Sequence, residues 1–407
     1  MYNINILYIG QVRDAQKKII QLGYDLTLFS KRIDFATSEE FYEHDINTPY
    51  INVVLFSNNA DAGEYAQVAK VLHMIRKFDA VICFNDHMQD IAIQISNQLC
   101  LPYSISKETL DKCFDKGKMR KALSLRDLNQ IKFDIVKNDT ELKKSLLTFK
   151  YPCIIKPTSS SGSKGVVKLA SFHECEKYLN GFYSGLYPLI VEEYIQGKEY
   201  SVETVSNGGY HAILAITEKE IDLNTFVEIG HTIPAKITKN TFLKIKNNVS
   251  KYLKILGVEN GPSHTEIKIH NEEVYIIETH TRVAGDNISK LIEIATGFNI
   301  YEICVEEALG KRIIECIPEF PVYKMSASIR YLYYNGETPA VITSLCYKNA
   351  FLPGIIEINM HKKSGDIIER LAKSKDRIGY VISKSVNSGQ AKRTAYEACC
   401  RIEMDYI

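Results

Sequence analysis

Two short stretches constrain this chain more than any others. His264-Thr265-Glu266-Ile267-Lys268-Ile269-His270 and Val274-Tyr275-Ile276-Ile277-Glu278-Thr279-His280 alternate polar and apolar residues on either side of Asn271-Glu272-Glu273. A period of two is the pleat of a half-buried strand, and the polar join makes the pair a β-hairpin. A three-residue turn sets His270 opposite Val274. The same register carries Glu266 opposite Glu278 and His264 opposite His280. One face then reads Ile267, Ile269, Tyr275 and Ile277, and the other His264, Glu266, Lys268, Glu278 and His280. A two-residue turn would set Glu266 against Ile277 and mix the faces, so sidedness selects the three-residue register. Opposed carboxylates have Cβ atoms about 5 Å apart and repel. They call for a cation, and hard oxygen ligands favour Mg²⁺, which takes substrate phosphates alongside one or two carboxylates. On its own such a face also reads as a wet sheet surface compensated by Lys268 and Arg282.

The flanking segments favour the ligand-binding reading. Thr281-Arg282-Val283-Ala284-Gly285-Asp286-Asn287 places a guanidinium and an anion-receptive turn just beyond the second carboxylate. Upstream, Lys156-Pro157-Thr158-Ser159-Ser160-Ser161-Gly162-Ser163-Lys164-Gly165 lies between two short strand patterns. Its glycines let the backbone approach an anion, its hydroxyls add donors, and Lys156 supplies a point charge for phosphate oxygens. A solvent-exposed hairpin turn shares this composition, and the GxxxxGK[ST] order of a P-loop is absent.

These features sit in a chain of three predicted units. Residues 1–108 alternate strands (Ile4–Ile9, Asp25–Phe29, Ile51–Phe56, Ala80–Phe84) with helical patterns (Arg13–Leu22, Ala62–Lys77, Met88–Leu99), the mark of a parallel α/β sheet. Ile9-Gly10 lacks the further glycines of a dinucleotide fingerprint, so Gly10 reads as a helix-packing turn. Pro102 closes this unit and Ser104–Asp111 reads as a polar join. Residues 109–318 hold the α+β features, with a compact lid over about 131–196, a helix over Phe242–Leu256, and antiparallel strands at Glu199–Val205, His211–Ala215, Ser263–Ile269 and Val274–Thr281. Residues 319–407 form a C-terminal α+β unit with strands of its own (Ser326–Tyr334, Gly354–Asn359, Gly379–Ser385) and a last helix near Gly389–Arg401.

Composition excludes several classes. At 407 residues the chain exceeds one ordinary core. A net charge of +1 argues against nucleic acid or an anionic membrane as partner. No apolar run approaches the roughly 20 residues that span a bilayer, and MYNINILYIG turns polar too soon for a leader. Ten cysteines without a CxxC pair fit free, mostly buried thiols in a reducing cytoplasm. The apolar N-terminal unit leaves room for a homodimer.

From about Ser104 to Gly310 the motifs resemble, in order, those of the ATP-grasp superfamily, and within it the carboxylate–amine ligases related to L-amino-acid ligases. The resemblance implies an N-terminal parallel α/β domain preceding an ATP-grasp fold with a mobile lid. FDKGKMR resembles the entry segment whose lysine meets ATP, which implies Lys116, with Lys118 its rival. YPCIIKPTSSSGSKGV resembles the lid lysine and phosphate-covering loop, implying Lys156, Ser161, Gly162, Ser163 and Gly165. LIVEEYIQGKEYSVE resembles the adenine hinge, implying Glu192, Glu193 and Ile195 at the base and Glu199 at the ribose. HTEIK with IIETHTRVAGDNI resembles the metal and phosphate block, implying Glu266 and Glu278 as metal ligands and Arg282 on phosphate or on the acyl-phosphate intermediate. Where many members carry asparagine, completing the metal shell, this chain has His280. Histidine is a borderline ligand, so Mn²⁺ is expected to serve at least as well as Mg²⁺; a hydrogen bond from His280 to His264 or a carboxylate is the competing reading. Val227–Ala235 resembles a stretch these ligases place near substrate, with His231 at the acid or amine, although lone histidines are more often structural.

The implied chemistry joins a small-molecule carboxylate to an amine. ATP phosphorylates the acid, phosphoryl transfer depending on position and charge neutralisation; the amine then displaces phosphate, with ADP the other product. A biotin-carboxylase-like or purine-pathway ATP-grasp enzyme, and a non-catalytic nucleotide-binding module, are the rival readings.

Overall fold

The computed structural model describes residues 3–33, 49–126, 128, 131–159, 165–180 and 187–407. It opens with β1 (Asn5–Ile9), α1 (Arg13–Gln21), β2 (Asp25–Lys31), β3 (Asn52–Phe56), α2 (Ala62–Ile75), β4 (Ala80–Ile82) and α3 (Gln89–Leu99). The four strands pair in parallel in the order β3-β2-β1-β4. β1 is buried along its whole length: Ile6 and Tyr8 face one core while Leu7 and Ile9 face another. That explains its unbroken apolar run, since a parallel sheet is covered on both faces. α2 starts at a reciprocal cap in which Asp61 accepts from Glu64 N at 2.9 Å and Glu64 accepts from Asp61 N at 3.2 Å. Gly10 has φ +100°, and a Cβ there would meet Asn85 Cβ at 3.0 Å, so where a helix-packing turn was expected the chain makes a close approach between two loops.

Ser104–Asp111 is not the polar join expected. It enters α4 (Lys107–Phe114), which is followed at once by α5 (Lys116–Ser124). Ser106 Oγ accepts from Thr109 N at 3.1 Å, and Asp115 Oδ1 accepts from Lys118 N at 2.8 Å. Both polar residues are caps, which a composition reading mistakes for loop.

The lid unit comprises β5 (Phe133–Val136), α6 (Asp139–Thr148), β6 (Cys153–Pro157), β7 (Val167–Leu169), α7 (Phe172–Asn180) and β8 (Leu189–Glu193). Its antiparallel sheet runs β5-β8-β6-β7 over its own core of Leu142, Leu146, Phe149, Cys153 and Val191.

The rest is built on one eight-stranded antiparallel sheet, β13-β12-β9-β10-β11-β14-β18-β16. Its first five strands are β9 (Lys198–Asn207), β10 (Tyr210–Ile221), β11 (Glu228–Ile233), β12 (Gly261–His270) and β13 (Glu273–His280). Helix α8 (Lys239–Leu256) covers one face through Ile245, Val249 and Leu253 against Val202, Ile216 and Ile267. Helices α9 (Ile288–Thr296) and α10 (Ile300–Ala308) cover the other through Leu291, Ile292 and Val305 against Val205, Leu214 and Ile233. The C-terminal segment supplies β14 (Ser326–Leu332), β15 (Ala340–Cys346), β16 (Ile355–Met360), β17 (Ile367–Ile368), β18 (Gly379–Ser385), α11 (Ser388–Cys400) and β19 (Glu403–Tyr406). Of these, β14, β18 and β16 extend the central sheet, with β14 pairing directly with β11. Only β17-β15-β19 stands as a separate sheet. The expected boundary at 318/319 therefore falls inside one continuous hydrogen-bonded layer.

The hairpin departs from expectation in one respect. His270 pairs with Glu273, so the turn has two residues, Asn271 and Glu272, at φ 50° and 64°. Two successive left-handed residues match the twist of the strands they join. An irregularity between Glu266 and Ile267 then restores the wider register, so that Glu266 still faces Glu278 and His264 still faces His280. The core face is consequently Ile267, Ile269, Val274 and Ile276, not Tyr275 and Ile277. Ile277 instead lines a cleft beside Glu278. A β-bulge shifts one strand by a residue and flips the side chains beyond it.

All ten cysteines are free; Cys83, Cys113, Cys153, Cys175 and Cys304 are buried, while Cys100, Cys316, Cys346 and Cys400 are exposed. Among the described residues no helix is long and apolar enough to cross a membrane.

Candidate active site

A cleft opens between the lid sheet and the β12–β13 end of the central sheet. Lys116, Lys156, Glu192, Glu199, Glu266 and Glu278 line it, with Ile131, Ile154, Val166 and Ile277 as apolar walls. Glu193, Tyr194 and Ile195 form its edge where β8 leads to β9. Of the two rival lysines, Lys116 turns inward, its Nζ 2.9 Å from Glu278 Oε2, while Lys118 is exposed and 3.4 Å from Asp111. Ser161, Gly162 and Ser163 lie outside the described residues. Gly165, at the end of that loop, is exposed.

The charges are interlocked. Glu192 lies between Lys156 Nζ and Arg120 Nε, each at 2.7 Å. Burial alone would raise its carboxyl, but the two cations outweigh burial and bring it down to about 2. Arg120 also donates to the carbonyls of Ile276 and Ile277 at 2.8 and 3.0 Å, so one guanidinium ties the hinge glutamate to the β13 backbone beside the bulge. Across the cleft, Lys219 contacts Glu266 at 2.7 Å, Glu199 at 3.1 Å and Glu228 at 3.3 Å. Burial disfavours the charged lysine, yet the three carboxylates hold it well above its ordinary range. The same cation depresses Glu266 against burial, while the nearby Glu278 charge pushes the other way. Lys116 likewise depresses buried Glu278. Lys268 donates to the Ile195 carbonyl at 3.3 Å and stands over the Tyr194 ring at 4.9 Å.

Beyond Glu278, His280 Nε2 lies 3.2 Å from Glu278 Oε1 and Nδ1 lies 3.5 Å from Asp86 Oδ2. Among the described residues no group of three or more His, Cys, Asp or Glu side chains is assembled to hold a metal ion. The His280 ring thus lies between the Glu278 and Asp86 carboxylates, on the same strand end as Glu278. His264 contacts Glu203 at 3.0 Å; burial would lower it, but that carboxylate and Glu266 raise it to about 9. Arg282 donates from Nε to Asp86 at 2.6 Å. His231 is 1% exposed, its Nε2 3.3 Å from Asp286 Oδ2.

Four charged residues escaped the sequence reading. Arg120 sits four residues after Lys116 on α5, so helical spacing put both on one face and was a usable signal. Lys219 in β10 lies between Glu218 and Glu220 and carried none. Asp86 and Arg377 reach the site from 196 and 91 residues away along the chain, and no local pattern announces that.

Comparison with known proteins fits this geometry. Residues 149–290 match the family model of the ATP-grasp domain, and residues 349–406 match L-amino acid ligase C-terminal domain 2. The chain carries an ATP-grasp domain. Over its whole length the chain superposes on the crystal structure of L-amino acid ligase from Bacillus licheniformis, with TM-score 0.84, 20% identity and complete coverage of both chains. Phosphoribosylglycinamide synthetase from Anaerococcus prevotii follows the same fold at TM-score 0.75 and 21% identity, covering 99% of this chain and 100% of that one. In sequence this chain is 25% identical to alanine–anticapsin ligase of Bacillus subtilis strain 168, over 72% of this chain and 64% of the relative. The chain thus spans less than two thirds of that ligase's length.

Proposed function

We propose that this ATP-grasp protein is an ADP-forming ligase that joins a small amino-acid-like carboxylate to an amine through an acyl phosphate. The observation that carries the reading is the opposition of Glu266 and Glu278 on one wall of a cleft into which Lys116 and Lys156 also point. Two hard carboxylates without a third protein ligand fit Mg²⁺, which completes its shell with water and phosphate oxygens. Glu266 and Glu278 would hold it, and His280 would orient Glu278. When bound there, the ion neutralises and aligns the terminal phosphates of ATP.

The chain's own residues supply the rest. Lys116 and Lys156 hold phosphate oxygens as point charges; Glu193 and Ile195 present backbone to the adenine, and Glu199 meets the ribose. Arg282, steadied by Asp86, faces the negative charge that builds as the acid is phosphorylated and the amine attacks. The lid sheet shields the activated acid from water. The resemblance to a known ligase C-terminal domain supports an amino-acid-like substrate, and ten free cysteines support a reducing compartment such as the cytoplasm.

The test is ADP release with amino acids offered singly and in pairs, with mass spectrometry for a new amide. Stimulation by particular pairs is expected, and Glu278→Gln should abolish it at an unchanged melting temperature. Stimulation by bicarbonate alone would move the protein to the carboxylating branch of the fold. ATP binding without turnover under every combination would make it a non-catalytic module.

A further inference from the structure

Arg377 lies far from the cleft in sequence, between the short turn Ser374–Asp376 and β18, within the C-terminal segment. It is 4% exposed. Its Nη1 and Nη2 donate to the two carboxylate oxygens of Asp286 at 2.8 and 3.0 Å. Nε donates to the Glu228 carbonyl at 3.0 Å, and Nη2 also reaches Glu228 Oε2 at 3.2 Å. The guanidinium lies 3.9 Å over the Tyr331 ring, and the Tyr331 hydroxyl donates to the Asp286 carbonyl at 2.8 Å. With His231 on Oδ2, Asp286 is held through both side chain and backbone.

What is held is a turn under conformational constraint. Asp286 and Asn287 both take left-handed φ, 55° and 58°. Aspartate and asparagine enter that region more readily than other residues with a side chain, and two in succession make a tight turn whose shape depends on the contacts that hold it. The turn starts at Arg282, and the other residue gripped, Glu228, contacts Lys219, which in turn contacts Glu266. Arg377 thus grips two supports of the cleft at once.

We propose that Arg377 is a positioning residue through which the C-terminal segment fixes the 282–287 turn and sets the angle at which Arg282 meets the transferred group. The kinetic part rests on the ligase reading; the conformational part does not. The planar fork of arginine matches the Asp286 carboxylate at two points, which the single charge of lysine cannot reproduce.

Arg377→Gln and Arg377→Lys test this by amide hydrogen exchange and steady-state kinetics on the full chain. In Arg377→Gln, amides of 283–288 should exchange about tenfold faster or more while those of α6 stay unchanged, a local opening. Turnover should fall about 100-fold, the scale of an ångström-sized misplacement, with KM for ATP within about threefold of wild type. Arg377→Lys should recover only part of either effect. A merely structural arginine would instead lower the melting temperature and speed exchange everywhere. Unchanged exchange at 283–288, or full turnover in Arg377→Lys, overturns the proposal. If the wild type shows no amino-acid-dependent ADP release, the ligase reading has failed, and exchange alone then decides the role of Arg377. Should Arg377→Gln not fold, Asp286→Asn, which keeps the volume and removes the charge, carries the same expectation.

Discussion

Glu192 shows how a buried carboxylate can stay ionised beside a nucleotide cleft: two cations at 2.7 Å, on opposite oxygens, share it. The sharing makes Lys156 separable from the fold. Lys156→Ala leaves Glu192 on Arg120, so the lid sheet should hold and the melting temperature change little. The lost charge-assisted contact to phosphate is worth about 1.5–3 kcal/mol. KM for ATP should therefore rise about tenfold or more, with KM for the acid nearly constant, as initial rates over both substrates would show. The reverse ordering would place Lys156 outside the nucleotide site. The positions of Lys156, Glu266 and Glu278 around one cleft were legible because each sits in a local pattern whose spacing carries meaning. Lys219 and Asp86 were not, since what makes them notable is the charge they meet across the fold.

At the scale of elements, the hairpin shows what periodicity can and cannot deliver. Alternation correctly set Glu266 against Glu278, because the bulge lies between those residues and the turn. It misassigned Tyr275 and Ile277, because a two-residue turn and a compensating bulge leave the overall count unchanged. Helix starts at Ser106 and Asp115 were missed for a related reason: a polar residue before a helix has the composition of a loop. The hinge between β8 and β9 carries a sharper constraint. Gly197 has φ +111°, and a Cβ there would lie 2.1 Å from the Ile269 carbonyl oxygen, a backbone atom with little freedom to move. Gly197→Ala must displace either the hinge or β12. It should cost at least about 2 kcal/mol, as substitutions into incompatible backbone do. It should also weaken ATP-analogue binding, because Ile195 and Lys268 share that corner of the cleft. Denaturant midpoint and analogue titration read the two effects; an unmoved midpoint would show that the hinge relaxes without loss.

For the whole molecule, the decisive fact is that the central sheet ignores the division drawn from sequence. Residues 319–407 read as a separate unit because they carry strands and a last helix of their own, and no local pattern reveals that β14 pairs with β11. Across that seam Ile233 and Ile329 are both fully buried in one core, and Thr232 Oγ1 meets Ser328 Oγ at 2.9 Å. A chain ending at 318 would expose the β11 backbone along Gly230–Ile233, the edge that invites strand-to-strand aggregation. It would also strip the apolar cover from Ile233 and leave Asp286 without the Arg377 guanidinium. The truncated chain should fail to give a monodisperse species by size-exclusion chromatography and should lack a native near-ultraviolet circular dichroism signal. The full chain should show one cooperative transition spanning both parts. A truncated chain that melted cooperatively at the full-length temperature would make the tail an appendage. The turn at Arg282 would then need only Asp86 and its own segment to hold its shape.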